Sequence, residues 1–203
     1  MTDSETIKLN FPFPIIPKNP GLPNYKVISE VHSKGKANAA SIASELGGGS
    51  HGLLGLTLST ATYLQLTGNA FVRPINPGTI PTNVMGSAAV MAEQVRQHKE
   101  QLRVFRQVEN AELALKSQLI ESFDETYFRG LRGRHTGYTN ISYLRMISHL
   151  YDTYGSITAV DLIENEKRMD TPFDPSGAIE TYFDQVEDAV EFAEVENSLF
   201  TTT

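Results

Sequence analysis

Residues His149–Val195 read HLYDTYGSITAVDLIENEKRMDTPFDPSGAIETYFDQVEDAVEFAEV, and the punctuation of this stretch decides the fold class. Leading into it, Ile141, Leu144, Ile147, Leu150, Tyr151 and Tyr154 recur every three or four residues, which is one apolar face of an α-helix. Gly155 follows at once and is expected to be the left-handed residue that ends that helix. Thr158 is placed to cap the next helix, with Asp161 three residues on as an acidic variant of the capping box. That helix runs to about Met169, because Pro172 forbids its continuation. The Asp-Thr-Pro-Phe-Asp-Pro turn then leads into a last helix that offers Ile179, Tyr182, Phe183, Val186, Val190 and Ala193 to a core. Three short amphipathic helices need partners to bury their stripes, so the expected body is all-α.

Upstream of this stretch the longest element spans about Ser87 to Phe123. Met91, Val95, His98, Leu102, Phe105, Val108, Leu115 and Leu119 recur there at helical spacing, with Glu112 as the interruption. His98 falls on the apolar side, where a core histidine bonded to a carbonyl is the default reading. Between the two helical regions lies the one basic concentration, Arg129, Arg132, Arg134 and His135, in a glycine-bearing loop. Three guanidiniums and an imidazole can meet the phosphates of RNA, but one short cluster in an acidic protein gives little affinity at physiological salt. A solvated loop paired with acidic helices is therefore the favoured reading. Farther upstream, Ser59 is placed to cap a short helix through Tyr63 to Leu66, and FVRPINPGTIP is a loop punctuated by Pro74, Pro77, Gly78 and Pro81. Leu53 to Leu58 approaches a period of two and is the one place where a short hairpin is expected. Glu30 to Leu46 reads as weakly helical.

The N-terminal segment differs. LNFPFPIIPKNPGLPN carries five prolines between Pro12 and Pro23, which favours an extended arm that cannot be a central strand. A disordered tail is one reading, but Phe11, Phe13, Ile15 and Ile16 are costly to leave in water, each worth roughly 1.5–3 kcal/mol on burial, so docking on its own body or on a neighbour is the other. If it is an assembly arm, its deletion over 1–22 is expected to leave a folded body that associates less. The division expected from composition is an arm at 1–24, a Gly/Pro-punctuated segment with short helices at 25–84, and a helical core domain at 85–203.

Charge narrows the function classes. From Tyr151 to the end, thirteen Asp or Glu stand against Lys167 and Arg168 alone, so this segment exceeds in magnitude the chain's net −7 and will not hold nucleic acid. Pairs such as Glu187-Asp188 fall opposite an apolar face and read as solvated helix surface rather than a metal or acid/base site. No run of eighteen apolar residues occurs, which excludes a helical membrane span, and no basic flank with an apolar stretch marks a secretory signal. With no cysteine, disulfides, thiol catalysis and Cys-type zinc sites are excluded. The five histidines, His32, His51, His98, His135 and His149, are dispersed without HExxH spacing, so no metal or other cofactor is expected. GGGSHGLLG, from Gly47, invites a phosphate-binding reading, but it lacks the Lys-Ser/Thr of a P-loop and GxGxxG spacing, and reads as a flexible turn. Ser50 and His51 are adjacent without a Gly-x-Ser-x-Gly elbow. No enzyme is expected.

HLYDTYGSITAVDLIENEKRM, the Pro-bearing PFDP turn and IETYFDQVEDAVEFA together resemble the Gag capsid region of copia-type (Ty1/copia) long-terminal-repeat retrotransposons, nearest to the Gag-like proteins of diatoms and other protists. GGGSHGLLGLTLSTATYLQL, FVRPINPG and the long helix with QHKEQLRVF are similar in order and spacing, so the likeness covers roughly residues 45 to 195. The resemblance implies a helical capsid-type domain with an extended arm. Its implied activity is self-assembly into a cytoplasmic virus-like particle that packages element RNA. The partner is then a second copy of the chain, with RNA held weakly by the basic loop or by a module absent from this sequence, such as the Cys/His zinc knuckle of many Gag proteins. The end on Phe-Thr-Thr-Thr fits a missing second capsid subdomain. Higher salt is expected to promote association, because the net charge repels between copies. Two alternatives stand beside this reading. One is a helical scaffold or adaptor that binds other proteins through its acidic face, and the other is an unrecognised nucleotide-binding or hydrolytic enzyme using the turn from Gly47 to Gly52.

Overall fold

The computed structural model describes residues 3–80 and 87–200, without the side chains of 188, 191 and 193–200. The chain forms two compact units, Met1–Gly155 and Ser156–Thr203. Among the described residues there are seven α-helices and no strand beyond a single antiparallel bridge between Gly133 and Gly137, so the protein is all-α. The packing joins the expected arm and punctuated segment to the long helix in one unit, and the division between units falls after Gly155. The boundary expected at 84/85, Pro81 and the side chain of Ala193 lie outside the described residues.

In the first unit, α1 (Asp3–Leu9) packs on α4 (Ala88–Ser122), and α2 (Tyr25–Ala40) packs on both α4 and α5 (Tyr143–Tyr154). α4 is 35 residues long, roughly 50 Å of helix at 1.5 Å per residue. Its C-terminal half supplies the core, with Val108, Ala111, Leu115 and Leu119 at helical spacing meeting Ile28 and Val31 of α2 and Met146, Ile147 and Leu150 of α5. The N-terminal half differs, because Val90 and Met91 are exposed and only Val95, His98, Leu102, Val104 and Phe105 show burial before Gln107. Gly35 in the middle of α2 is explained by close approach. A Cβ there would run into the Tyr143 hydroxyl. Aromatic pairs line α5, Tyr25 of α2 with Tyr151, tilted, at 5.6 Å and Tyr127 with Tyr154, edge to face, at 5.2 Å between ring centroids.

The short elements follow their caps. Ser59 accepts from the Thr62 amide at the start of α3 (Thr60–Thr67), and left-handed Gly68 ends it. Leu53 to Leu58 is not a hairpin. Leu54–Leu56 is a 3-10 turn, and the Leu53 amide donates to Ala39 O at 3.0 Å, so Leu53 and Leu56 are buried as a plug beneath α2. Gly155 is not left-handed either, with φ −87°, although it does follow α5 directly. An added Cβ would lie 2.7 Å from Tyr151 O and 2.9 Å from Tyr151 Cα, so the glycine is required by closeness to the last turn rather than by backbone sign.

The second unit is a hairpin of α6 (Ala159–Asp170) and α7 (Ile179–Phe200). The capping box at its start is complete, with the Thr158 hydroxyl accepting from the Asp161 amide and the Asp161 carboxylate accepting from the Thr158 amide at 2.7 Å. Asn165 Nδ2 donates to Ala189 O at 3.0 Å and ties the helices together, and Gln185 Nε2 donates to Arg168 O at 2.8 Å. Ala189 and Phe192 are buried against α6. Ile179, Phe183 and Val190, expected in the core, are exposed.

Candidate functional site

The basic loop is built by two glycines. Gly133 N donates to Gly137 O at 2.9 Å and Gly137 N to Gly133 O at 3.0 Å, closing a tight loop that left-handed Gly137, at φ +56°, allows. Arg134 and His135 stand exposed at its tip, while Arg129 and Arg132 lie exposed on the segment that enters it. Arg132 is 3.6 Å from Glu125, whereas Arg129 and Arg134 have no ion-pair partner among the described residues. The loop therefore offers two unsatisfied guanidiniums and an imidazole to solvent, enough for a weak polyanion contact and too few for a strong one.

The arm lies on its own chain. Phe11 and Ile16 are buried in the core of the first unit, while Phe13 and Ile15 point outward. The backbone of Phe13 is the anchor. Asn38, fully buried, accepts from Phe13 N at 2.9 Å and donates to Phe13 O at 2.9 Å, and Gln118 of α4 also donates to Phe13 O. Asn19 N donates to Ser122 O at 2.8 Å, and Lys8 pairs with Glu121. This strap crosses from α2 to α4, so two of the four side chains expected at an assembly arm are core residues. The other two remain available to a neighbour.

The turn after Gly47 is tied to the chain at its two ends, with Gly48, Gly49 and Ser50 exposed between them. Gly47 O accepts from the Tyr63 hydroxyl at 3.1 Å and Gly49 N donates to Leu46 O at 3.3 Å, so these groups serve the chain itself. Gly52 is buried at φ +52°, and a Cβ there would lie 2.5 Å from Ile42 O. Gly47 and Gly52 thus serve packing. The histidines are likewise structural where they are bonded: His32 Nε2 meets Thr57 O at 2.9 Å and His149 Nε2 meets Tyr127 O at 3.0 Å. Among the described residues no group of three or more His, Asp or Glu could hold a metal ion. No described helix is long and apolar enough to cross a membrane.

Glu112 and Lys116, which interrupt the apolar stripe of α4, form the polar centre of the first unit. Glu112 accepts from Tyr143 N at 3.2 Å, at the first residue of α5, and from Arg73 Nη1 at 3.1 Å. Lys116 Nζ donates to Tyr138 O, Thr139 O and Ile141 O at 3.0, 3.3 and 3.0 Å, which uses all three of its N–H bonds. Burial lowers its pKa, and neighbouring Glu112 and Glu109 oppose that shift. Lys116, with Leu113, Ile120 and Tyr138, lines a cleft of about 380 Å³. An ammonium held by three carbonyls orders the chain between the two helices and is poorly placed to attack a substrate. Sequence reasoning passed over this centre, and its only sign was two charges four residues apart inside an apolar stripe.

The second unit carries a series of exposed apolar side chains. Val160 and Ile163 of α6, Met169, Phe173, and Ile179, Phe183 and Val190 of α7 are all exposed. Asn165 Oδ1 is a buried side-chain oxygen with no hydrogen-bond partner among the described residues. No family model, curated protein or solved structure matches the chain.

Proposed function

We propose that this protein is a self-associating structural protein of Gag capsid type, whose copies build a shell around element RNA. The observation that carries the reading is the α6–α7 hairpin, which leaves Val160, Ile163, Met169, Phe173, Ile179, Phe183 and Val190 exposed in a unit of only two helices. Surfaces of this kind mark association sites. The resemblance of residues 45–195 to copia-type Gag proteins and the all-α architecture support the same reading. The free guanidiniums of Arg129 and Arg134 supply a modest contact for RNA, and exposed Phe13 and Ile15 on the strap are a second place for a neighbour to touch.

The bonded Lys116 ammonium and the internal bonds of Gly47 O and Gly49 N weigh against the enzymatic alternative. The acidity of residues 156–203 keeps the scaffold alternative in view, since a basic protein partner would suit that face equally well. Electron microscopy and light scattering of the purified chain, across protein and salt concentrations, test the reading. Particles or oligomers that grow with protein concentration are expected. A chain that stays monomeric throughout and instead captures a basic helical partner would establish the scaffold reading.

A further inference from the structure

The exposed stripe of α7 has a period. Ile179, Phe183, Val186 and Val190 follow one another at four, three and four residues, the seam spacing by which two helices pair side by side. Tyr182, Ala189 and Phe192 lie on the neighbouring face that meets α6, and Val186, half-buried like Tyr182, borders both faces, so Ile179, Phe183 and Val190 are the seam positions left exposed beside the hairpin's own packing. Directly after the seam residues Ile179 and Val186 come Glu180 and Glu187, both exposed, at the flanking positions that face a partner helix. Two such seams from two copies would set these carboxylates near one another, in units that each carry net −10 over residues 156–203. A symmetric α7 pair is therefore disfavoured, and the flank calls for a basic helix.

The chain carries that helix. In the N-terminal half of α4, Met91, Val95, His98 and Leu102 also follow at four, three and four. His98 is buried, but Met91 is exposed and Val95 and Leu102 are half-buried. Lys99, after His98, and Arg106, after Phe105, occupy the same flanking positions that Glu180 and Glu187 occupy on α7. Both are exposed, and neither has an ion-pair partner among the described residues. The other two arginines of this half are already engaged, Arg96 with Glu93 at 2.7 Å and Arg103 with Glu100 at 2.6 Å. Residues 1–155 carry net +3, so the attraction between the two kinds of unit has the right sign.

We propose that α7 of one copy packs antiparallel along the N-terminal half of α4 of a second copy, with Glu180 facing Arg106 and Glu187 facing Lys99. The contact rests on the self-association reading above and specifies its surface. It joins two different patches, so each copy keeps one free patch of each kind and the assembly propagates until it closes.

Charge exchange tests this contact. Glu180→Lys with Glu187→Lys makes one variant, and Lys99→Glu with Arg106→Glu makes the other. All four sites are exposed, so the helical circular dichroism and melting midpoint of each variant should stay near those of the parent. By sedimentation and light scattering, each variant alone should need about tenfold or more protein to associate. An equimolar mixture should recover parental association, because each reversed α7 then meets a reversed α4 in trans. If the parent associates and the variants do so equally well, the α4–α7 contact is wrong while self-association stands. Recovery only when all four substitutions share one chain would mean a contact within the molecule and would overturn the proposal. A parent that stays monomeric at every concentration removes both readings.

Discussion

Asn38 is the residue on which the strap hangs. Its fully buried amide meets the Phe13 N–H and carbonyl and donates to Gln118 Oε1 at 2.7 Å. Asn38→Ala strands the Phe13 amide and the Gln118 oxygen, so urea denaturation should show a loss of about 1–3 kcal/mol. His32 gives a pH signature. Burial, opposed by its bond to Thr57 O, lowers its pKa from 6.5 to about 4. Between those values the unfolded chain binds more protons than the folded one. Stability is therefore full above about pH 6.5 and falls as the pH drops toward 4, by about 2–3 kcal/mol after allowance for the ring's partial exposure. His32→Asn should flatten the difference between urea midpoints at pH 7 and pH 5, and an unchanged slope would assign the acid sensitivity elsewhere. Gly155→Val should lower the melting midpoint by the equivalent of about 1–3 kcal/mol, because its Cβ meets backbone at 2.7 Å. The position was legible in the sequence but its reason was not, since closeness to Tyr151 depends on how the last turn of α5 closes. Glu112 and Lys116 were illegible for a related cause. A charge inside an apolar stripe reads as a fault until the carbonyls and the guanidinium that satisfy it, up to 39 residues away, are seen.

Helices with both a periodic stripe and a cap emerged where the sequence placed them. α3 is capped by Ser59 and α6 opens on the Thr158–Asp161 box, while α4 starts at Ala88 on its stripe alone, since the Ser87 side chain makes no capping bond. The misread element is a short apolar run whose apparent period is too brief to fix its type. Leu53 to Leu58 resembles a strand by alternation, yet it is a plug whose side chains serve α2. α7 shows the converse difficulty. Its apolar stripe is wide enough for two partners, and periodicity cannot tell which part meets α6. The arm expected at 1–24 starts instead with helix α1 and bends at 11–14, and its middle is fixed to Asn38 and Gln118. Deleting residues 1–22 therefore uncovers the sites of Phe11 and Ile16 and should cost about 3–6 kcal/mol, enough to unfold much of the first unit. Circular dichroism of the truncated chain measures it. A truncated protein as stable as the parent would mean that the strap is dispensable.

Charge is divided between the two units, net +3 over residues 1–155 and −10 over residues 156–203. Taken as one number, −7 implies that copies repel and that salt promotes association. Taken by unit, a head-to-tail contact attracts while a contact between like units repels. If α7 meets α4 of a second copy, raising salt from about 50 mM to about 500 mM should weaken association, since the Debye length shrinks well below 10 Å. Strengthening with salt would point to a symmetric contact through the acidic hairpin. Light scattering at fixed protein concentration reads the sign directly.

The placement of aromatic rings has an optical consequence. The chain has no tryptophan, and of its eight tyrosines only Tyr182 belongs to the second unit. Tyr182 lies 5.9 Å from the Phe173 ring, while the others include the fully buried Tyr143 and the paired rings at the α2–α5 contact. Near-ultraviolet dichroism is thus dominated by the first unit and nearly blind to the hairpin. A Tyr182→Trp substitution would give the hairpin an emission band of its own, excited at wavelengths where tyrosine is dark, so the melting of each unit could be followed separately in one sample.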